Sequence, residues 1–219
     1  MKTQFSIQPT YFDNRQMCGF NWMEHVTAIP SPLVVVTTYK SNGKTNATMQ
    51  SWLTFSNDNE FYCIFAAVNK GGHMYQTIHE RQALVINFPS ADVYVKCYDT
   101  IKHNHTDDDE ITAAGLTAEP ASKVDAPLIK ECFLNLECEF AWEKELFPGS
   151  KQVVLCVRII SMAMDEAHLD ESQIGRYGDT GYLYNIHFPT NPTAGIEGPE
   201  ALGTIHQYIS LQELQQKSE

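Results

Sequence analysis

The chain has 219 residues, 43% of them hydrophobic, and its 15 Lys and Arg against 27 Asp and Glu give a formal net charge of −12. That length and apolar content suit one domain with a substantial core. The charge excludes a nucleic-acid partner, which would draw on clustered Lys and Arg, but leaves room for a small phosphorylated ligand held by a local cation and oriented N–H groups.

The first thirty residues are mixed and read as a cover, ending in Ile29-Pro30-Ser31-Pro32, a rigid extended lead-in. Leu33 to Tyr39 (LVVVTTY) is a β-branched run of strand length, and Ser41-Asn42-Gly43 is a turn that reverses the chain. Thr45 to Phe55 (TNATMQSWLTF) follows as a polar loop past the hairpin, carrying clustered hydroxyl and amide side chains. Ser56 to Asn59 is a polar turn, Phe61 to Val68 (FYCIFAAV) a buried strand, and His73 to Glu80 a two-turn helix. Leu84 to Phe88 is a strand stopped by Pro89.

Ala91 to Ile101 is a helix or an irregular turn, and Lys102 to Glu110 (KHNHTDDDE) a mobile acidic surface loop. Cys132 to Trp142 alternates, with Cys132, Leu134, Leu136, Cys138 and Phe140 on one side and Asn135, Glu137 and Glu139 opposite, as in a half-solvated antiparallel strand. Lys151 to Ile160 returns beside it after the Phe147-Pro148-Gly149-Ser150 turn. The C-terminal sixty residues are irregular until a helix near Ser210, where Ser210 and Glu213 match a capping box. The fold class is mainly β, an antiparallel barrel with a few short helices. It forms one domain over 1–219, with a core over about 30–165 and an extension over about 166–219.

No transmembrane-length apolar stretch and no signal-type run in MKTQFSIQPTYFDNR are visible, so a cytoplasmic protein without a membrane partner is expected. The sequons at Asn46 and Asn104 then carry no meaning. Six cysteines lack any CxxC pair and read as reduced core residues; Cys97, beside Lys96, is the one flanked by a base. His103, His105 and Asp107 to Asp109 offer metal-type ligands, but with no second cluster at a recognised spacing the solvated-loop reading prevails and no metal is expected. There is no GxSxG elbow and no GxGxxG. What remains is a phosphate cradle of Asn46, Thr48 and Ser51, facing Lys70, Gly71-Gly72 and His73 at a helix start, with Trp52 beside it. The bland alternative is a barrel corner satisfied by hydroxyls, with Trp52 in the core.

The order of motifs resembles the flavin reductase-like family and its flavoredoxin branch, whose members are FMN-binding split β-barrels. The resemblance runs from Pro30 to about Ile160. It rests on the VVVTT strand after Pro30, TNATMQSW (Thr45 to Trp52), G-H-x-x-x-x-I (Gly72 to Ile78), VINFP (Val85 to Pro89), AGLT (Ala114 to Thr117) and VDAPLIKECFLNLEC (Val124 to Cys138). It implies that Asn46, Ala47, Thr48, Met49, Gln50, Ser51 and Trp52 line a flavin, with His73, joined by Lys70, at the phosphate. Met74 stands where the family often has threonine, which removes a hydroxyl and shifts the expected burden to Lys70 or the glycine backbone.

The resemblance further implies FMN as cofactor and NADH or NADPH as transient hydride donor. The electrons would pass to free flavin, another small molecule or a protein acceptor, within a homodimer. No side chain need act as acid or base in hydride transfer, so no catalytic residue is assigned. Two other readings stand beside this one: a non-enzymatic FMN electron carrier, and a split barrel that has lost FMN and binds another ligand.

Overall fold

The computed structural model describes residues 2, 28–170, 172–173, 175, 177–187, 190–191, 196–207 and 209–216. The expected N-terminal cover, Cys18 included, lies almost wholly outside them. The chain divides into a larger unit, Pro32–Leu183 with Thr204–Glu219, and a smaller one, Met1–Ser31 with Tyr184–Gly203.

In the larger unit the strands are β1 (Val34–Tyr39), β2 (Thr45–Gln50), β3 (Leu53–Asp58), β4 (Glu60–Asn69), β5 (Ala83–Phe88), β6 (Ala118–Pro120), β7 (Pro127–Ile129), β8 (Leu134–Glu145) and β9 (Gln152–Met164). The helices among them are α1 (His73–Arg81), α2 (Tyr94–Asp99) and α3 (Glu110–Ala113). The smaller unit contains β10 (Tyr184–Asn185) antiparallel to β13 (Leu202–Gly203), and β11 (Thr190–Asn191) antiparallel to β12 (Ile196–Glu197). At the end of the larger unit, α4 (Leu211–Gln216) starts at the expected capping box: the Glu213 N–H donates to Ser210 Oγ at 3.2 Å and the Ser210 N–H to Glu213 Oε2 at 2.9 Å.

Seven strands form one antiparallel sheet in the order β2-β1-β5-β8-β9-β4-β3. Its edges are β2 and β3, which are consecutive in the chain and joined only by Ser51 and Trp52. Three Cα steps span at most ~11 Å, so the sheet must curl until its edges meet, giving a barrel split along that seam. The predicted loop over Thr45 to Phe55 is therefore two strands with a two-residue corner. Its hydroxyl and amide residues belong to an edge strand, where polar side chains are at home. The predicted turn at Ser56 to Asn59 is likewise strand up to Asp58, reversing at Asn59, whose φ of +64° permits the tight corner.

Burial on both faces explains why β1 reads as an unbroken apolar run. Val34 and Val36 join the main core with Phe65, Ile78 and Leu84, while Val35 joins a second cluster with Cys97, Ile111 and Ile129 beneath α2 and α3. Helix α1 places Met74 and Ile78 in the main core. Within Ala91 to Ile101, Tyr94–Asp99 forms helix α2 after a turn, and a 3-10 helix, Thr100–His103, follows it.

Strand β8 departs from the half-solvated expectation, and it begins at Leu134, leaving Cys132 outside it in the second cluster. Asn135 and Glu137 are only 6% and 3% exposed. Asn135 donates to Asn87 Oδ1 at 2.8 Å, and that oxygen also accepts from the Ile129 N–H at 2.9 Å. The Glu137 carboxylate accepts from the Ser122 and Lys123 N–H groups at 3.0 and 2.6 Å and from the Ser122 hydroxyl at 2.8 Å. The loop before β7 covers that face with backbone donors, which alternation in β8 does not reveal. Burial by itself would raise the Glu137 carboxyl, but these hydrogen bonds outweigh it and hold the group below its usual range.

A carboxyl lowered on folding stabilises the protein at pH above its unfolded value, and that contribution disappears as pH falls through the folded one. Glu137→Gln is expected to lower unfolding free energy at pH 7 by about 1–3 kcal/mol. In urea denaturation the gap from the parent protein should close on acidification below the ordinary carboxylate range.

Candidate functional site

Edge strand β2 and the N-terminus of α1 meet through three sets of contacts. The first tie is a polar chain: the Thr77 hydroxyl donates to the His73 carbonyl at 2.9 Å, Thr38 Oγ1 lies 2.7 Å from Thr77 Oγ1, and Asn46 Nδ2 reaches Thr38 Oγ1 at 3.3 Å and Thr48 Oγ1 at 3.4 Å. The second runs through Glu110 at the start of α3. Its Oε2 accepts from the Ala47 N–H at 2.7 Å, and its Oε1 lies 3.9 Å from His73 Nδ1. A third contact, Gln50 Nε2 to Met74 Sδ at 3.6 Å, closes the far end of β2 onto α1.

The sequence-predicted residues thus separate by depth. Asn46 and Ala47 are buried, at 0% and 5% exposure, and form the floor. Thr48, Met49, Gln50, Ser51, Trp52, Gly72 and His73 are half-buried and present groups toward solvent. Gly72 caps α1 without a side-chain hydrogen bond, so the first-turn amides have no cap to satisfy them. Asn69 folds the glycines over that end, its Oδ1 accepting from the Gly71 N–H at 2.9 Å and its carbonyl from Gly72 at 3.0 Å. The structure does not bring Lys70 into this group: its ammonium pairs with Glu145 at the end of β8. Met74 points into the core, so the hydroxyl a threonine would carry there is replaced by packing and a sulfur acceptor for Gln50.

The residues that sequence reading missed are Lys40 and Glu110, 3% and 1% exposed. Lys40 Nζ lies 2.9 Å from Glu110 Oε1 as an ion pair and donates to the carbonyls of His105 and Asp108 at 2.8 Å each. The stretch predicted as a mobile acidic loop is instead bound by its backbone to this lysine. Asp109 caps α3, accepting from the Thr112 N–H at 3.4 Å, and takes the Thr45 hydroxyl at 2.6 Å. The discoverable signal was Asp109 followed three residues later by Thr112 ahead of an apolar pair, a helix start hidden inside an acidic run.

Other candidate chemistry stays apart from this corner. Among the described residues no three His, Cys, Asp or Glu side chains are grouped to hold a metal. All five described cysteines are free and buried, and burial pushes the Cys63 thiol up to about 12, so none has the exposed thiolate that nucleophilic chemistry needs. An open depression of about 380 Å³ lined by Arg81, Lys123, Asp125, Glu139 and Phe140, among others, shares no residue with the cradle.

Residues 26–188 match the family model of the flavin reductase like domain, about three quarters of the chain. The chain belongs to the flavin reductase-like family. Solved structures agree on the fold. Nitrilotriacetate monooxygenase component B from Bacillus cereus is 16% identical over 96% of this chain and 100% of its own, with a TM-score of 0.74. Flavoredoxin of Desulfovibrio vulgaris is 18% identical over 96% of each chain, with a TM-score of 0.67. A flavin reductase-type protein with a split barrel domain from Shewanella frigidimarina is 15% identical over 95% of this chain and 98% of its own, with a TM-score of 0.75. The split barrel expected from the motif order is thus the fold observed, and family membership makes this a flavin-type oxidoreductase scaffold.

Lys40→Met leaves Glu110 charged and unpaired in the interior and is expected to cost about 3–5 kcal/mol in urea denaturation. Lys40→Met with Glu110→Gln removes both charges while keeping an acceptor for the Ala47 N–H, and should recover most of that loss.

Proposed function

We propose that this protein binds FMN at the barrel seam and acts as an NAD(P)H-dependent oxidoreductase, passing electrons to free flavin or to another small-molecule or protein acceptor. The observation that carries the reading is the N-terminus of α1, with His73 at its first position and no side-chain cap, tied to strand β2 by the Asn46–Thr38–Thr77 chain and by Gln50 on Met74. Uncapped first-turn amides and an imidazole are the donor set a phosphate requires. The buried Asn46 Oδ1, which lacks a hydrogen-bond partner within the protein, marks the same corner as built for a polar occupant. The residues therefore fit the group.

When bound, FMN supplies the redox chemistry, taking hydride from a nicotinamide and releasing two electrons to an acceptor. The chain's part is binding and shielding. Thr48 and Ser51 orient the phosphate, and Trp52 offers an apolar wall to the ring. The amides of the seam favour negative charge nearby. Lys70 contributes only if it exchanges Glu145 for the ligand. No residue of this corner is assigned proton transfer. The reading includes a homodimer, supported by the exposed Trp142, Leu146, Phe147 and Met162, and a reducing cytoplasmic setting, supported by the free thiols.

Anaerobic mixing of the FMN-loaded protein with NADH or NADPH is expected to bleach the flavin absorbance. A bound flavin that stays oxidised with both donors overturns the enzyme assignment and leaves an electron carrier, while a protein that ignores added FMN defeats the cofactor assignment as well. Thr48→Ala with Ser51→Ala should weaken FMN binding by about 1–1.5 kcal/mol per lost hydrogen bond, read by fluorescence titration. Unchanged affinity would place the phosphate elsewhere.

A further inference from the structure

The His73 ring turns an unsatisfied nitrogen toward the Glu110 carboxylate. His73 Nδ1 is buried with no hydrogen-bond partner and lies 3.9 Å from Glu110 Oε1, whose one close partner is the Lys40 ammonium at 2.9 Å. That is about 1 Å beyond hydrogen-bond distance. Glu110 itself is immobilised: Oε2 holds the Ala47 N–H, and Lys40 sits against Oε1 while fastened to two backbone carbonyls. The imidazole is 28% exposed, so with Nδ1 buried its other edge is the one that reaches a ligand.

We propose that Glu110 is the positioning residue for His73, accepting a hydrogen bond from Nδ1–H and turning Nε2 outward to the phosphate of the flavin. The proposal rests on the FMN reading above and adds to it a named carboxylate and a proton. A phosphate dianion needs a donor at Nε2, and Glu110 needs one at Nδ1. Both nitrogens carry hydrogen only in the imidazolium. Carboxylate on one side and phosphate on the other therefore call for a hydrogen on each ring nitrogen when the phosphate is bound.

The neighbouring charges leave this arrangement intact. Lys40 offsets Glu110, so the added imidazolium leaves a net positive site. Asp109 is engaged by the Thr45 hydroxyl, Asp108 by the His105 N–H, and Lys70, three residues before His73, by Glu145. The logic is that of a carboxylate that fixes the tautomer and orientation of a working histidine, here in the service of binding.

The test is nitrogen-15 NMR of histidine-labelled protein at neutral pH, with the His73 signal assigned by its loss in His73→Gln, alongside dissociation constants for FMN and for riboflavin, which lacks the phosphate. In the ligand-free parent protein Nδ1 should carry a hydrogen-bonded proton. FMN should protonate both ring nitrogens and riboflavin should not. In Glu110→Gln, and in Lys40→Met/Glu110→Gln should the single variant fold poorly, FMN should no longer do so. The preference for FMN over riboflavin should then fall by about ten- to a hundredfold, the equivalent of one charge-assisted hydrogen bond, with riboflavin affinity unchanged. A ligand-free His73 protonated at Nε2 alone overturns the proposal, as does an unchanged preference for FMN in the variants. If the parent protein binds neither flavin, the FMN reading fails, and the ligand-free tautomer still decides between a Glu110-bound ring and a free one.

Discussion

The two-residue link between β2 and β3 is the constraint on which the rest of the molecule depends. Strands at opposite edges of a seven-stranded sheet cannot be joined by Ser51 and Trp52 alone unless the sheet has curled through nearly a full turn. Closure is incomplete, because the corner prevents β2 and β3 from forming a ladder with each other. The Trp52 carbonyl accepts from the Ala66 N–H at 2.8 Å, securing the corner to β4. Edge strand β2 keeps outward-facing amides, which in a closed barrel would have been spent on a neighbouring strand. One of them, on Ala47, is taken by Glu110. The seam is therefore the place where a barrel fold naturally has backbone donors left over.

Helix α1 turns that leftover into the proposed site. Its apolar side, Met74 and Ile78, is drawn into the main core, and this fixes the direction in which its first turn points. Thr77 then meets Thr38 within the barrel, one of few polar contacts allowed there, and sets the register between helix and β1. A buried hydroxyl pair is tolerable only when both members are satisfied, and here the His73 carbonyl completes it. Packing of the helix and placement of its uncapped end are thus one event.

The strand order was legible where one residue type repeated with one period: the β-branched run of β1, the alternation of β8 and the return of β9. It failed where a polar residue was buried by a partner far along the chain. Asn135 and Glu137 alternate as a solvent face should, yet Asn87 and Ile129 engage the first and the loop at Ser122 and Lys123 the second. Lys40 and Glu110 failed for the same reason, being 70 positions apart and surrounded by residues that signal surface. At the candidate site the sequence grouped the residues of β2 with the start of α1, and the Asn46–Thr38–Thr77 chain and the Gln50–Met74 contact tie those two elements together. It could not see that Lys70 has a competing carboxylate in Glu145, which reaches it only through the β8–β9 hairpin.

The same geometry accounts for recognisable motif order at identities of 15–18% to proteins of like fold. Closure asks for a tight corner, a helix that plugs the barrel and a strand buried on both faces, and each can be met by several residue types. Met74 illustrates the latitude. A hydroxyl at that position would offer one more donor, yet a thioether in the core fills space against β2 and still gives Gln50 an acceptor. What cannot vary freely is the backbone: an uncapped helix start opposite an unpaired strand edge. Backbone donors are supplied by topology and not by residue identity, so the proposed anion site, made mainly from them, would outlast divergence of the side chains around it.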